Sequence, residues 1–209
     1  HLLNTTNAAE QCKTNVERFA LLGGAHKRKA IILLRQNKVW QKEVDASIRF
    51  YKKGEGVSFD LSFNPYTTIN RLQLEGILHT NQENQANLES QIILAEKAQA
   101  AARQNFTRSL DFFDGVMAAD AMIAIYLLNE RYVAEQAADK SVKDFLVEYY
   151  YDSVKDIHYS NKEFNSVTKQ LSYLAMFLKN QAKAEPEHAV RLKKKAEVLS
   201  AIASALQQL

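Results

Sequence analysis

Asp120 is the residue whose chemistry fits its neighbours least. It lies inside the apolar run Val116–Leu128, on one helical line with Phe113, Met117, Ala124 and Leu127. A carboxylate there must find a partner or keep its proton, because burying an unpaired charge is costly. Catalytic and switch carboxylates arise in such places. So do structural ones that pair with a neighbouring helix, and that second reading is favoured.

Other residues have spacings that could carry chemistry. Glu75 and His79 are four apart and would share one helix face, as a metal pair or an acid–base pair would. A solvated pair is the simpler account. The single Glu-x-x-His is Glu185-Pro186-Glu187-His188. It falls at a helix start, where acids complement the dipole. A carboxylate metal bundle would also need inward glutamates from several helices. No metal site and no cofactor are expected.

Two basic clusters stand out, His26-Lys27-Arg28-Lys29 and Arg191-x-Lys193-Lys194-Lys195. Either could meet phosphate or anionic lipid. Both are short and neither has an interleaved aromatic, so solvated helix faces are the favoured reading. Nucleic acid is not expected, and membrane-surface contact has no further support. Tyr149-Tyr150-Tyr151 is a different signal. Three consecutive tyrosines on a helix cannot all face one core, and outward tyrosine suits a protein interface. Tyr150 and Tyr151 are the candidates.

Standard fingerprints are missing. No phosphate loop, His-Glu-x-x-His, Cys-x-x-Cys or Gly-x-Ser-x-Gly occurs. Catalytic groups can assemble from distant positions, so an enzyme or a small-ligand bundle with a pocket near Asp120 stays as the second reading.

Composition bounds the scaffold that must hold these groups. The chain has 209 residues, 46% hydrophobic and 24% charged, with six Gly and two Pro. That is globular composition with few breakers, which favours long helices. Residues 1–60 carry 11 basic and 6 acidic groups, 61–140 carry 6 and 10, and 141–209 carry 10 and 8. Basic ends and an acidic middle fit charges that pair within one bundle. Cys12 is the single cysteine, so no intrachain disulfide can form. It sits on an apolar stripe and is expected in the core. No apolar run is long enough to span a bilayer. The chain starts at His1 rather than Met, which fits a removed leader or a trimmed start. Exported and cytoplasmic placement both stay open.

Taken in order, Ala9, Cys12, Val16, Phe19 and Ala20 define a first helix that Gly23-Gly24 should end. A second helix is well spaced through Leu33, Trp40, Val44, Ile48 and Tyr51. Alternation on both sides of Lys53-Gly54-Glu55-Gly56 competes with it and reads as a small β-hairpin near 44–63. Val57–Phe63 is expected extended, and 44–51 is left open, leaning to helix. After Asn64-Pro65, residues 67–138 form one long helix or a helical hairpin with a joint near 105–109. A continuous helix over 68–104 would be roughly 55 Å long at ~1.5 Å per residue, with a solvent-standing polar stretch at 81–87. Leu88, Ile92, Ala95, Gln99, Ala102 and Phe106 make a narrow coiled-coil-like seam for one neighbour, inside the chain or on a second copy. Residues 110–138 are apolar nearly all round and should be central. Ser141 and the Ser160–Glu163 capping box start two further helices, and Pro186 opens the last. No internal repeat is evident at any fixed offset.

The expected protein is mainly α, an elongated bundle of five to seven helices. It is read as a single helical domain over 1–209 with a joint at 52–66. The favoured function is non-catalytic protein–protein interaction or a structural role, with a protein partner or a homo-oligomer. If Asp120 is buried and partnered, Asp120→Ala should cost roughly 3 kcal/mol in chemical denaturation; a loss below half of that would place it in solvent.

Overall fold

The computed structural model describes the backbone of residues 2–59, 63–78 and 85–208, and the side chains of 14–56, 63–78 and 86–208. Among these residues there are nine α-helices, one short 3-10 turn and no strand. The helices are α1 (Leu2–Arg35), α2 (Gln41–Phe59), α3 (Pro65–Leu78), α4 (Gln85–Ser109) and α5 (Phe112–Leu128), followed by α6 (Glu130–Ala137), α7 (Val142–Val154), α8 (Asn161–Ala184) and α9 (Ala189–Leu206).

Helix α1 runs straight through Gly23-Gly24, where a stop was expected. The glycine serves packing instead. A Cβ on Gly23 would lie 2.7 Å from the ring of Tyr51 on α2, and Ser47 of α2 donates to the Gly23 carbonyl at 2.7 Å. Only a bare backbone lets the two helices approach so closely. The stop comes later, at Asn37, with φ 55°. Asparagine tolerates that left-handed conformation. The Lys38 amide then donates to Leu33 O at 2.9 Å and the Asn37 amide to Leu34 O at 3.0 Å, satisfying the last carbonyls.

The β-hairpin is absent. Residues 41–59 are helix α2, so Val57 to Phe59 are helical rather than extended. Residues 60–62 lie outside the described residues, and Phe63 is non-helical. Val44, Ser47, Ile48, Tyr51 and Glu55 are all buried at spacings of three and four. Between α1 and α3 a helical stripe has two faces to pack on, whereas a strand would have had no partner.

Nor is there a single rod over 67–105. Asn64 caps α3 by accepting from the Tyr66 amide at 3.0 Å, with Pro65 in the first turn. Helix α3 ends at Leu78, α4 starts at Gln85, and the two pack side by side. Residues 79–84, which include most of the polar stretch, lie outside the described residues. The joint near 105–109 is found: α4 ends at Ser109 and Leu110 turns with φ 51°.

The alanine seam of α4 closes on α5 within the chain. Ile92, Ala95, Ala98 and Ala102 are buried, and Gln99 donates across to Ala118 O at 3.5 Å. Helix α5 is central, as expected, and packs against α3, α4, α6, α7 and α8. Asn129 then splits the predicted segment by ending α5 and capping α6. The capping box holds as read: Ser160 and Glu163 satisfy each other's amides at the start of α8. One apolar cluster runs from Ala30 in α1 to Leu206 in α9. The side chain of Cys12 lies outside the described residues.

Glycines at different places should respond oppositely to the same change. A Cβ on Gly76 would lie 2.8 Å from Leu127 Cβ and 3.0 Å from its carbonyl carbon, so α3 cannot yield cheaply. Gly76→Ala is expected to cost about 1–3 kcal/mol. Gly56 meets nothing within 4 Å, and Gly56→Ala in its helix should gain about 0.5–1 kcal/mol. Urea denaturation of both variants checks this; equal signs would refute it.

Candidate functional site

The site builds outward from Asp120. Its carboxylate accepts from the Tyr150 hydroxyl of α7 at 2.5 Å. Its backbone carbonyl accepts from Gln73 of α3 at 3.0 Å, and Gln170 of α8 donates to Gln73 at 3.0 Å. From α1, Lys27 faces the same space. Lys27 is 7% exposed and donates to Asn70 of α3 at 2.9 Å. Asn70 is itself held by the Tyr66 carbonyl at 3.0 Å.

Lys27 and Asp120 feel each other's charge, yet no ion pair of 4.0 Å or less joins them among the described contacts. Both line a cavity of about 280 Å3 bounded by α1, α2, α3, α5 and α8. Its mouth carries Arg28, Tyr66 and Phe113, all exposed. Ile31, Val116 and Val167 supply apolar wall.

Burial sets the electrostatics of the floor. It pushes the Asp120 carboxyl up to about 6, against the opposing pull of the Tyr150 hydroxyl and Lys27. The Lys27 ammonium is pushed down to about 8, chiefly by burial, with Asp120 opposing and Arg28 adding to the shift. Each group is thus only partly compensated by protein. An ammonium has three donors and a carboxylate about four acceptor positions. Among the described residues, one hydrogen bond is made from Lys27 and one to the Asp120 carboxylate.

The other sequence candidates do not converge here. Lys29 is exposed and pairs with Glu43 at 2.6 Å, beside His26, which reaches the same carboxylate at 2.7 Å. The first basic cluster is therefore split between a buried lysine, an exposed arginine and a paired lysine. The second is split likewise. Lys193 is exposed, and Lys194 pairs with Glu130 at 2.6 Å. Lys195 is 5% exposed and donates to Leu127 O at 2.6 Å. Neither cluster forms a continuous cationic face. Tyr151 points outward at 46% exposed, whereas Tyr150 is 1% exposed and occupied by Asp120. Tyr150 is therefore no surface contact, because its ring fills the core between α5 and α7.

Glu75 has no use for a metal either. It accepts from Arg71 at 2.6 Å and from Gln91 at 3.0 Å; His79 lies outside the described residues. Arg71 also grips Glu55 through two nitrogens, at 2.8 and 3.1 Å. This buried network ties α2, α3 and α4. No cluster of metal-ligating side chains occurs among the described residues, and no helix among them is long and apolar enough to cross a membrane. Sequence reading missed Lys27 as a partner of Asp120, since 93 positions separate them. One signal was available: a lysine between apolar positions of α1, with Ala30, Ile31 and Leu34 following on the buried face.

Residues 1–75 match the family model described as Tetratricopeptide Repeats-Sensor. The match covers α1, α2 and most of α3. This part of the chain is a TPR-like helical repeat region, a class whose repeats typically mediate protein binding. No curated protein and no solved structure matches the chain. A repeat was not visible at any fixed offset.

The Asp120 shift has a definite sign in stability. A carboxyl raised on folding adds stability that is complete below its unfolded value and lost as pH rises through its folded value. For Asp120 that window runs from 3.8 to about 6. Asp120→Asn cannot titrate there. The stability difference, variant minus wild type, should therefore climb across the window with a slope of up to roughly 1.4 kcal/mol per pH unit. Denaturant titrations at pH 4, 5, 6 and 7 measure it. A difference independent of pH would show that Asp120 titrates as a solvent carboxylate.

Proposed function

We propose that this chain is a recognition module that takes a protein partner on the face where the TPR-like helices meet α5 and α8. The observation that carries the reading is the mouth of the cleft. Tyr66 is 41% exposed and Phe113 48% exposed on a surface they share with Arg28. Aromatic residues and arginine are the side chains that dominate protein interfaces. The family match over residues 1–75 supports the same reading. A second copy of this chain is one partner this face could take, so light scattering on the whole chain is the first measurement.

A second reading has its own observation. Lys27 and Asp120 face one cavity with hydrogen-bonding capacity left over, which favours a small-ligand-binding bundle.

The first reading is tested with a partner captured from the native source. The double variant Tyr66→Ala, Phe113→Ala should bind it at least about tenfold more weakly by surface plasmon resonance. Both side chains are about half buried, Tyr66 against Tyr51 and Phe113 against Phe112, so the thermal transition of the double variant is measured first and binding is compared in folded protein. Undiminished binding by a folded double variant would move the interface elsewhere and end this reading.

A further inference from the structure

We propose that the cavity between Lys27 and Asp120 binds a small acidic amino acid, with the ligand ammonium on Asp120 and its carboxylates on Lys27 and Arg28; this rests on the ligand-binding reading of the cleft.

The charges choose the class. The cavity lining contains two cations, Lys27 and Arg28, and one carboxylate, Asp120. Lys27 and Asp120 are opposite in sign, both turned to the same space, and not in contact with each other. A ligand with opposite charges a few bonds apart completes both. A neutral amide would leave each charge poorly compensated, which is costly for a group as deeply placed as Lys27. Arg28 adds a second cation at the mouth and makes no ion pair among the described contacts. A ligand of net charge minus one, with one ammonium and two carboxylates, therefore balances the lining. The apolar wall formed by Ile31 and Val116 suits a short methylene chain. The volume, about 280 Å3, accommodates such a ligand and is small for a dinucleotide.

The N-terminus of a protein that begins with an acidic residue offers the same ammonium but one carboxylate fewer, because its α-carboxyl is an amide; it differs from the free amino acid in charge as well as size.

Binding should depend on pH through the groups that face the floor. These are Lys27 and Arg28 from α1, Tyr51 from α2, Tyr66 from α3, Tyr150 from α7 and Tyr173 from α8; α4 contributes no group to the lining. Burial pushes the Tyr51 and Tyr150 hydroxyls up. Asp120 must lose its proton, near pH 6, to hold an ammonium. Lys27 must keep its own, which it does below about 8. Affinity should thus be greatest between these values and fall on both sides.

Calorimetric titration of the full chain tests this with L-glutamate, L-aspartate, N-acetyl-L-glutamate and a tripeptide with N-terminal glutamate. Glutamate or aspartate should bind at pH 7, and acetylating the amine should weaken binding at least about tenfold. Lys27→Met and Asp120→Asn should each weaken it about tenfold to a hundredfold, in protein shown to be folded by its thermal transition. Wild-type affinity from pH 5 to 9 gives the same answer without any variant. A tripeptide that binds as well as the free amino acid shows that the second carboxylate is not read and overturns the assignment; one that binds far less supports the free amino acid. Unchanged affinity on acetylation, or a flat pH profile, overturns the assignment. Should no acidic amino acid bind while another small molecule shields Lys27 from reductive methylation, the ligand-binding reading survives and this class falls. If nothing shields Lys27, both fall.

Discussion

Helix α5 is packed by five others, and midway along it, past its partly exposed first turn, stands the half-buried carboxylate of Asp120. Its neighbours are α3, α4, α6, α7 and α8. Asp120 can be kept there only if those elements, with α1 above them, bring polar groups to it. They do so from different directions: Tyr150 to the carboxylate, Gln73 to the backbone carbonyl, and Lys27 through space. Each contact demands one register of its helix against α5, since a shift of one residue turns a helical side chain by about 100°. Apolar packing alone tolerates alternatives of similar volume. A buried polar network that must be satisfied does not. The relative placement of α1, α3, α7 and α8 is therefore specified by the same group that makes the cleft chemically distinctive.

Sequence reading recovered the elements whose signals are local. Helix α5 was legible because its apolar residues cover the whole circumference, and Asp120 because it breaks that pattern. Ser160 with Glu163 was legible because a capping box is complete within four residues. The misreadings occurred where local signals have two outcomes. Gly23-Gly24 can end a helix or admit a neighbouring ring, and only Tyr51, 28 positions away, decides for the ring. The alternation Val44, Ala46, Ile48, Phe50 suits a strand, but the same segment holds Val44, Ile48 and Tyr51 on one helical face. Two packing partners select that face. Lys27 looked like one member of a solvated basic run. Nothing within its own helix discloses that Asn70 and Asp120 wait on its other side.

The loss of the rod changes which function the scaffold serves. A lone helix over 67–105, wet along its middle, would present itself to a partner by length alone. Instead α4 lies back against α3, and the Arg71 network locks the fold-back. The seam that could have paired with a second copy closes on α5. With rod and seam both occupied inside the chain, the surface proposed for recognition is the cleft beside α1–α3 instead. There exposed aromatics surround a charged floor. The proposed surface overlaps the region that matches the tetratricopeptide-type model, although Asp120 and Phe113 come from outside it.

Two buried lysines differ in what the fold gives them. Lys195 and Lys27 are almost equally hidden, at 5% and 7% exposed, and burial pushes both ammonium groups down to about 8. Lys195 sits on the last turn of α5, on the Leu127 carbonyl, with the Tyr126 ring 6.0 Å away. Free carbonyls at a helix C-terminus carry negative partial charge, and an aromatic face adds to it. The task of that cation is complete within the fold: it caps a central helix that ends in the core. Lys27 has no helix terminus and no ring. It has one amide oxygen and a carboxylate that it does not touch. A group this costly to bury, with Asn70 as its hydrogen-bonding partner, is the observation on which the ligand-binding proposal rests. The opening that leads to it is also the one lined by Arg28, Tyr66 and Phe113.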